Sequence, residues 1–197
     1  MGLLTLSVVA PGSMAASVQP AIAGDRVRLR PWQAGDLDAV LAGFADPAVQ
    51  RWHCRSMTEE EAREWIAGWA GRWRAETDAS WAITAPVPGE LEQDHPVVGQ
   101  IGLRRLDLHD GLGAVSYWTL PTARGRGVAH RALVALAGWS FRSLGLHRVE
   151  ASHSTANPAS CRVAEKAGFA AEGTRRAQGW HPDGWHDMHL HGLVRGD

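Results

Sequence analysis

The chain has 197 residues, the length of one domain or two very small ones, and long enough to bury a core without a disulfide or a metal. It is 45% hydrophobic and 21% charged, a globular composition, and its net charge of −1 excludes a general polyanion binder, which needs surplus Lys and Arg. Cys54 and Cys161 are the only cysteines, so disulfide scaffolds and CxxC zinc or redox motifs are excluded, and no run of about 18 apolar residues spans a membrane.

Residues 1–24 contain no charged side chain. The apolar run from Leu3 to Ala10 lacks the preceding Lys or Arg of a secretory signal, and Pro11, Gly12 and Pro20 break any helix. The expectation is a flexible or loosely docked tail whose removal leaves the fold intact, with Met14 as an alternative start. Without export, both cysteines are expected as reduced thiols in a cytoplasmic protein.

From Arg26 the pattern is dense. Val27 and Leu29 alternate with arginines in a half-exposed strand that Pro31 ends. Asp36 is placed to cap a helix through Leu37, Val40, Leu41 and Phe44, closed by Asp46-Pro47. Thr58 and Glu61 form a capping box for a helix presenting Ala62, Trp65, Ile66, Trp69 and Trp73. Ser80–Thr84 reads as a short strand and Pro86–Pro96 as a surface loop. Val97–Leu108 and Gly113–Leu120 form a hairpin about His109-Asp110-Gly111.

Pro121–Gly127 leads into a helix with Leu133, Leu136, Ser140, Phe141 and Leu144 on one face, stopped by Gly145. A strand at His147–His153, a helix at Asn157–Ala167 and strands at Phe169–Arg175 and Trp185–Val194 complete one mixed α/β domain. Ten tryptophans fit either core packing or an aromatic-lined pocket, and Lys166 is the only lysine.

The sharpest local signal is Arg124-Gly125-Arg126-Gly127-Val128-Ala129, between a strand and a helix. Glycines let successive N–H groups point into one concavity, and the helix N-terminus adds partial positive charge, which suits a pyrophosphate. The Gly-Lys-Ser/Thr of a nucleotide P-loop and the spacing of a dinucleotide fingerprint are absent, so ATP hydrolysis and NAD chemistry drop out.

Here the chain resembles the GNAT superfamily of acetyl-CoA-dependent N-acetyltransferases. Arg124, Gly127 and Ala129 match the family's Arg/Gln-x-x-Gly-x-Gly/Ala. Asn157, Ser160, Glu165, Lys166, Gly168 and Phe169 match its Asn-x-x-Ser and Glu-Lys-x-Gly-Phe block. The opening VRLRPWQAGDLDAVLAGFADP is similar to the branch that acetylates N-termini of ribosomal proteins. The resemblance covers about residues 26–194. It implies one domain over 25–197 with a mixed, mostly antiparallel central sheet of about seven strands, splayed at the acetyl-CoA site and flanked by helices.

The resemblance also implies roles. The N–H groups of Gly125, Arg126, Gly127, Val128, Ala129 and His130 would hold the CoA pyrophosphate beside Arg124. Leu120 would contact the pantetheine arm, and Asn157 would hydrogen-bond it while also fitting a helix N-cap. The Tyr that many members use as acid toward the departing thiolate is replaced by Ala164, so Ser160 becomes the candidate donor, against a purely local role in its helix turn. Glu150 is the leading candidate base, with His153 and water as alternatives.

His189 and His191 share one face of a strand, but no third ligand stands at a diagnostic spacing. No metal is therefore expected, and His191, where the family often has Tyr, is expected to touch the acceptor. The function expected is acetyl transfer from acetyl-CoA to a primary amine, of a protein N-terminus or a small molecule. The alternatives are a non-catalytic CoA or acyl-CoA sensor and, third, a structural protein. Neither nucleic acid nor membrane is an expected partner, and a homodimer is left open.

Overall fold

The computed structural model describes residues 4–86 and 95–197. The elements are β1 (Ile22–Gly24), β2 (Val27–Pro31), α1 (Leu37–Ala45), α2 (Pro47–His53), α3 (Glu59–Arg74), β3 (Ala79–Thr84), β4 (Val97–Asp107), β5 (Leu112–Thr119), α4 (Val128–Trp139), β6 (Arg148–Ser154), α5 (Pro158–Lys166), β7 (Ala170–His181) and β8 (Gly184–Val194). The expected loop at Pro86–Pro96 falls largely outside the described residues.

One sheet runs in the order β1-β2-β3-β4-β5-β6-β8-β7. All neighbours are antiparallel except β5 and β6. The eighth strand is β1, which lies inside the segment read as a tail. That parallel pair runs only from Leu112↔Arg148 to Val115↔Ala151. Beyond it β5 stays on β4, to Gly99↔Thr119, while β6 follows β8, to Ser154↔Met188. The two strands therefore part, and residues 116–119 and 152–154 face each other across a gap.

Packing holds that gap open. Trp118 leaves β5 for the cluster of Val40, Phe44, Val49, Trp65 and Trp69 formed by α1, α2 and α3. A Cβ on Gly43 would stand 2.6 Å from the Trp118 ring, so only glycine lets α1 lie this close. On the other side, α4 buries Val128, Leu133 and Leu136 against Val115, Leu146 and Val149. Most tryptophans thus serve the core.

Two expectations need correction, and a third holds but is incomplete. Asp36 precedes α1, but its carboxylate accepts from Arg30 at 2.7 and 2.7 Å and from Gln33 N, without capping the helix. Asp46-Pro47 ends α1 and also starts α2, with Asp46 capping Val49 N at 3.0 Å and Pro47 at the first turn, where its missing N–H costs nothing. Residues 8–24 are anchored at several points. Met14 is fully buried, and Val9 and Ile22 are buried with it. Val8 N and Val9 N donate to His109 O and Leu108 O. The Glu76 carboxylate accepts from the N–H groups of Gly12, Met14 and Ala15, and Trp73 Nε1 and Trp81 Nε1 donate to Ser17 O and Pro20 O. Leu4, Leu6 and Val18 stay exposed, so the segment is anchored at intervals along its length.

Candidate active site

The gap between β5 and β6 opens into a cavity of about 600 Å³. The first wall comes from the turn into α4. Gly125 and Gly127 adopt φ of +71° and +72°, the left-handed conformation that glycine enters at no steric cost. Gly127 is the N-cap, so the N–H groups of Val128, Ala129 and His130 have no acceptor within the helix and face the cavity with the positive end of its dipole.

Of the residues expected to bind the co-substrate, Arg124, Gly125, Gly127, Val128, Ala129, His130 and Asn157 line this cavity, as does Ser160. Leu120, Arg126 and Glu150 do not. Leu120 packs toward the α1–α3 cluster. Arg126 donates to Pro86 O at 2.8 Å. Glu150 accepts from Arg148 Nε at 2.9 Å, and Arg148 also grips Glu172, so the candidate base is held in a surface ion network away from the gap. Arg124 lines the cavity but spends its guanidinium on Asp46 and Thr119 O, which ties the turn to α2 and β5 and holds the Asp46 carboxyl below its ordinary range. Arg162 and Lys166 of α5 supply exposed cations at the lining.

Asn157 caps α5, its Oδ1 accepting from Ser160 N at 3.1 Å. Its amide NH₂ is a second function that the cap does not use. Ser160 Oγ lies 2.7 Å from the hydroxyl of Tyr117, a contact that spans β5 and α5. Burial pushes the Tyr117 phenol up to about 12, so it remains protonated and can donate. The phenol also reaches Ser160 O at 3.3 Å; in the arrangement where it donates to Ser160 Oγ instead, the serine proton is free to point elsewhere. Sequence reasoning missed Tyr117, although it is the only tyrosine in the chain.

The opposite end of the cavity carries Val49, Trp52 and His53 of α2 with His181 and Met188 of the β7–β8 hairpin. His53 Nε2 lies 3.1 Å from Tyr117 O. A carbonyl only accepts, so Nε2 bears the proton and Nδ1 carries the free lone pair. Burial lowers the His53 pKa, which keeps the ring neutral. His53 was missed as well, because α2 itself was not foreseen. His153 lines the cavity on the β6 side, whereas His191 is buried behind it and does not reach the lining. A second cavity, of about 770 Å³ between residues 15–19 and α3, has no His, Cys or carboxylate in its lining among the described residues.

Residues 26–170 match the family model of the acetyltransferase (GNAT) domain. An uncharacterized N-acetyltransferase of Bacillus subtilis (strain 168), YoaA, is 26% identical over 178 residues, which is 89% of this chain and 97% of that protein. An acetyltransferase (GNAT family) from Bacillus anthracis has the same fold, with a TM-score of 0.78, 22% identity, and coverage of 90% of this chain and 100% of that one. So has the ribosomal-protein-S5-alanine acetyltransferase from Vibrio fischeri, with a TM-score of 0.78, 17% identity, and coverage of 91% and 98%. The parted parallel strands and the glycine turn at the head of α4 lie within the matched span, and the chain belongs to the GNAT acetyltransferase family.

Proposed function

We propose that the chain moves the acetyl group of acetyl-CoA to the primary amine of a peptide N-terminus, with both substrates held together in the cavity between β5 and β6. Acetyl-CoA supplies the acyl group in activated form, as a thioester. The glycine turn and the first N–H groups of α4 bind the pyrophosphate, and the Asn157 amide donates to the pantetheine arm. Ser160, held by Tyr117, donates a hydrogen bond toward the sulfur. His53 Nδ1 takes the proton of the attacking amine, replacing Glu150 in that role.

The observation that carries the choice of acceptor is the lining. Among the described residues no Asp or Glu lines the cavity, and the end away from the glycine turn is built of aromatic, apolar and imidazole groups. A polycationic amine would find no counter-charge there. A single amine is instead favoured in its uncharged, nucleophilic form, because desolvation disfavours the ammonium. The ribosomal-protein-S5-alanine acetyltransferase that shares this fold supports the same reading.

Thiol release from acetyl-CoA separates the possibilities. Peptides with a free N-terminus should turn over, and the same peptides blocked at the N-terminus should not. Turnover of polyamines or aminoglycosides alone would overturn the acceptor, and CoA binding with no release on any amine would indicate a sensor. Because the folded pKa of His53 lies below the ordinary value of about 6.5, the base form is present above it, and kcat/KM should fall as pH drops through it. His53→Gln should lower the rate and remove that acidic limb.

Gly127→Val tests the turn. A β-branched residue resists φ of +72°, and its Cβ would stand 3.1 Å from Arg131 Nη1, whose guanidinium is fixed by Nη2 donating to Arg126 O. CoA should raise the melting temperature of the parent, by about 2.7 kcal/mol of stability at a hundredfold excess over Kd. The variant should fold yet lose most of that shift. An undiminished shift would remove the turn from the binding site.

A further inference from the structure

We infer that His153, Cys161, His189 and His191 form a binding site for one zinc-class divalent ion. This inference stands apart from the proposed function, since it rests on residues that the acetyl-transfer reading does not use.

The four residues come from three elements. The β6–β8 register sets His153 opposite His189, and His191 follows two positions on, so that it shares its neighbour's face. Cys161 reaches them from α5, one residue after Ser160. One ligand atom from each lies within 4.8 Å of every other. Cys161 Sγ stands 3.7 Å from His191 Nε2 and 4.0 Å from His189 Nδ1. Around a tetrahedral zinc with ordinary Zn–N and Zn–S bonds the ligand atoms are separated by about 3.3–3.6 Å. A contraction of roughly an ångström closes this set on an ion.

A second observation points the same way. His153 Nδ1 lies 2.9 Å from Ser154 O, so that nitrogen bears the proton and Nε2 carries a lone pair. Among the described residues this buried Nε2 has no hydrogen-bond partner. A ring whose outer N–H is fixed by a backbone carbonyl, leaving the inner nitrogen bare, is the usual state of a metal-binding histidine. The His153 and His191 rings stack at 5.1 Å.

The donor set selects the ion. One thiolate and three imidazoles suit zinc and disfavour magnesium or calcium, which take oxygen ligands. Loading releases the Cys161 thiol proton, because the thiolate is the ligand. Four protein ligands leave no open position, so the ion acts as a clamp. It ties α5, which carries Asn157 and Ser160, to the two strands beneath.

Cobalt titration of the metal-stripped, untagged full chain tests this. One Co²⁺ per chain should bind with a thiolate-to-cobalt charge-transfer band and the intense visible absorption of a tetrahedral site, and zinc should displace it. Zinc should raise the melting temperature of the parent and of Cys54→Ser, but not of Cys161→Ser or His189→Gln. In the parent, zinc should protect Cys161 from alkylation and leave Cys54 reactive, a readout that does not depend on any variant folding. Absence of the thiolate band, an equal band in Cys161→Ser, or zinc protection of Cys54 in place of Cys161 would each overturn the site.

Discussion

Removal of residues 1–24 will destabilise the protein severely, giving a chain that melts far below the parent or aggregates on expression. The deletion takes away β1, on which α4 packs, and the buried side chains of Val9, Met14 and Ile22. It also leaves the indole N–H groups of Trp73 and Trp81, both buried, without the carbonyls of Ser17 and Pro20. A milder variant isolates the packing. Met14→Ala empties a site with no solvent exposure, for which large-to-small losses cost about 2–5 kcal/mol. In a chain of this size that lowers the melting temperature by about 5–15 °C. Thermal denaturation of the parent, the truncation and Met14→Ala measures both effects. A truncated chain that melts with the parent would mean the segment adds nothing to stability, despite its burial.

Ser160→Ala will lower turnover by about 30- to 1000-fold, the cost of one charge-assisted hydrogen bond of roughly 2–4 kcal/mol made as the sulfur departs. CoA affinity should stay within a few-fold, because that bond is weak while the substrate is bound and strong only in the transition state. Tyr117→Phe should produce a smaller fall. Without the phenol 2.7 Å away, the serine hydroxyl is free to turn back on its own helix carbonyls, so it is less often aimed at the sulfur. Steady-state rates and calorimetric CoA titration of the two variants separate binding from chemistry. Unchanged turnover in Ser160→Ala would make Ser160 a helix-turn residue and leave the sulfur to be protonated by water.

Much of this protein could be read from the chain because the relevant physics is local. The capping box at Thr58 and Glu61, the hairpin at His109–Gly111, the glycine stop at Gly145 and the Asn157 cap each depend on residues within a turn or two, and each is found where it was expected. The left-handed turn at Gly125 and Gly127 belongs to the same class. Asp46-Pro47 shows the limit of local reading, since the pair that ends one helix is also the N-cap and first residue of the next. What the tertiary structure decided was every relation across distant segments. Val9, Met14 and Ile22 of the uncharged N-terminal segment are buried only because the β4–β5 turn, the end of α3, Glu76 and β2 meet it. Glu150 is drawn away from the gap by Arg148, and Tyr117 meets Ser160 only because β5 parts from β6. His189 and His191 were visible as a pair, but His153 and Cys161 reach them through the β6–β8 register and the packing of α5. Spacing along a chain encodes a helix face or a turn, whereas side chains 28 or more positions apart meet only after the sheet has set their register.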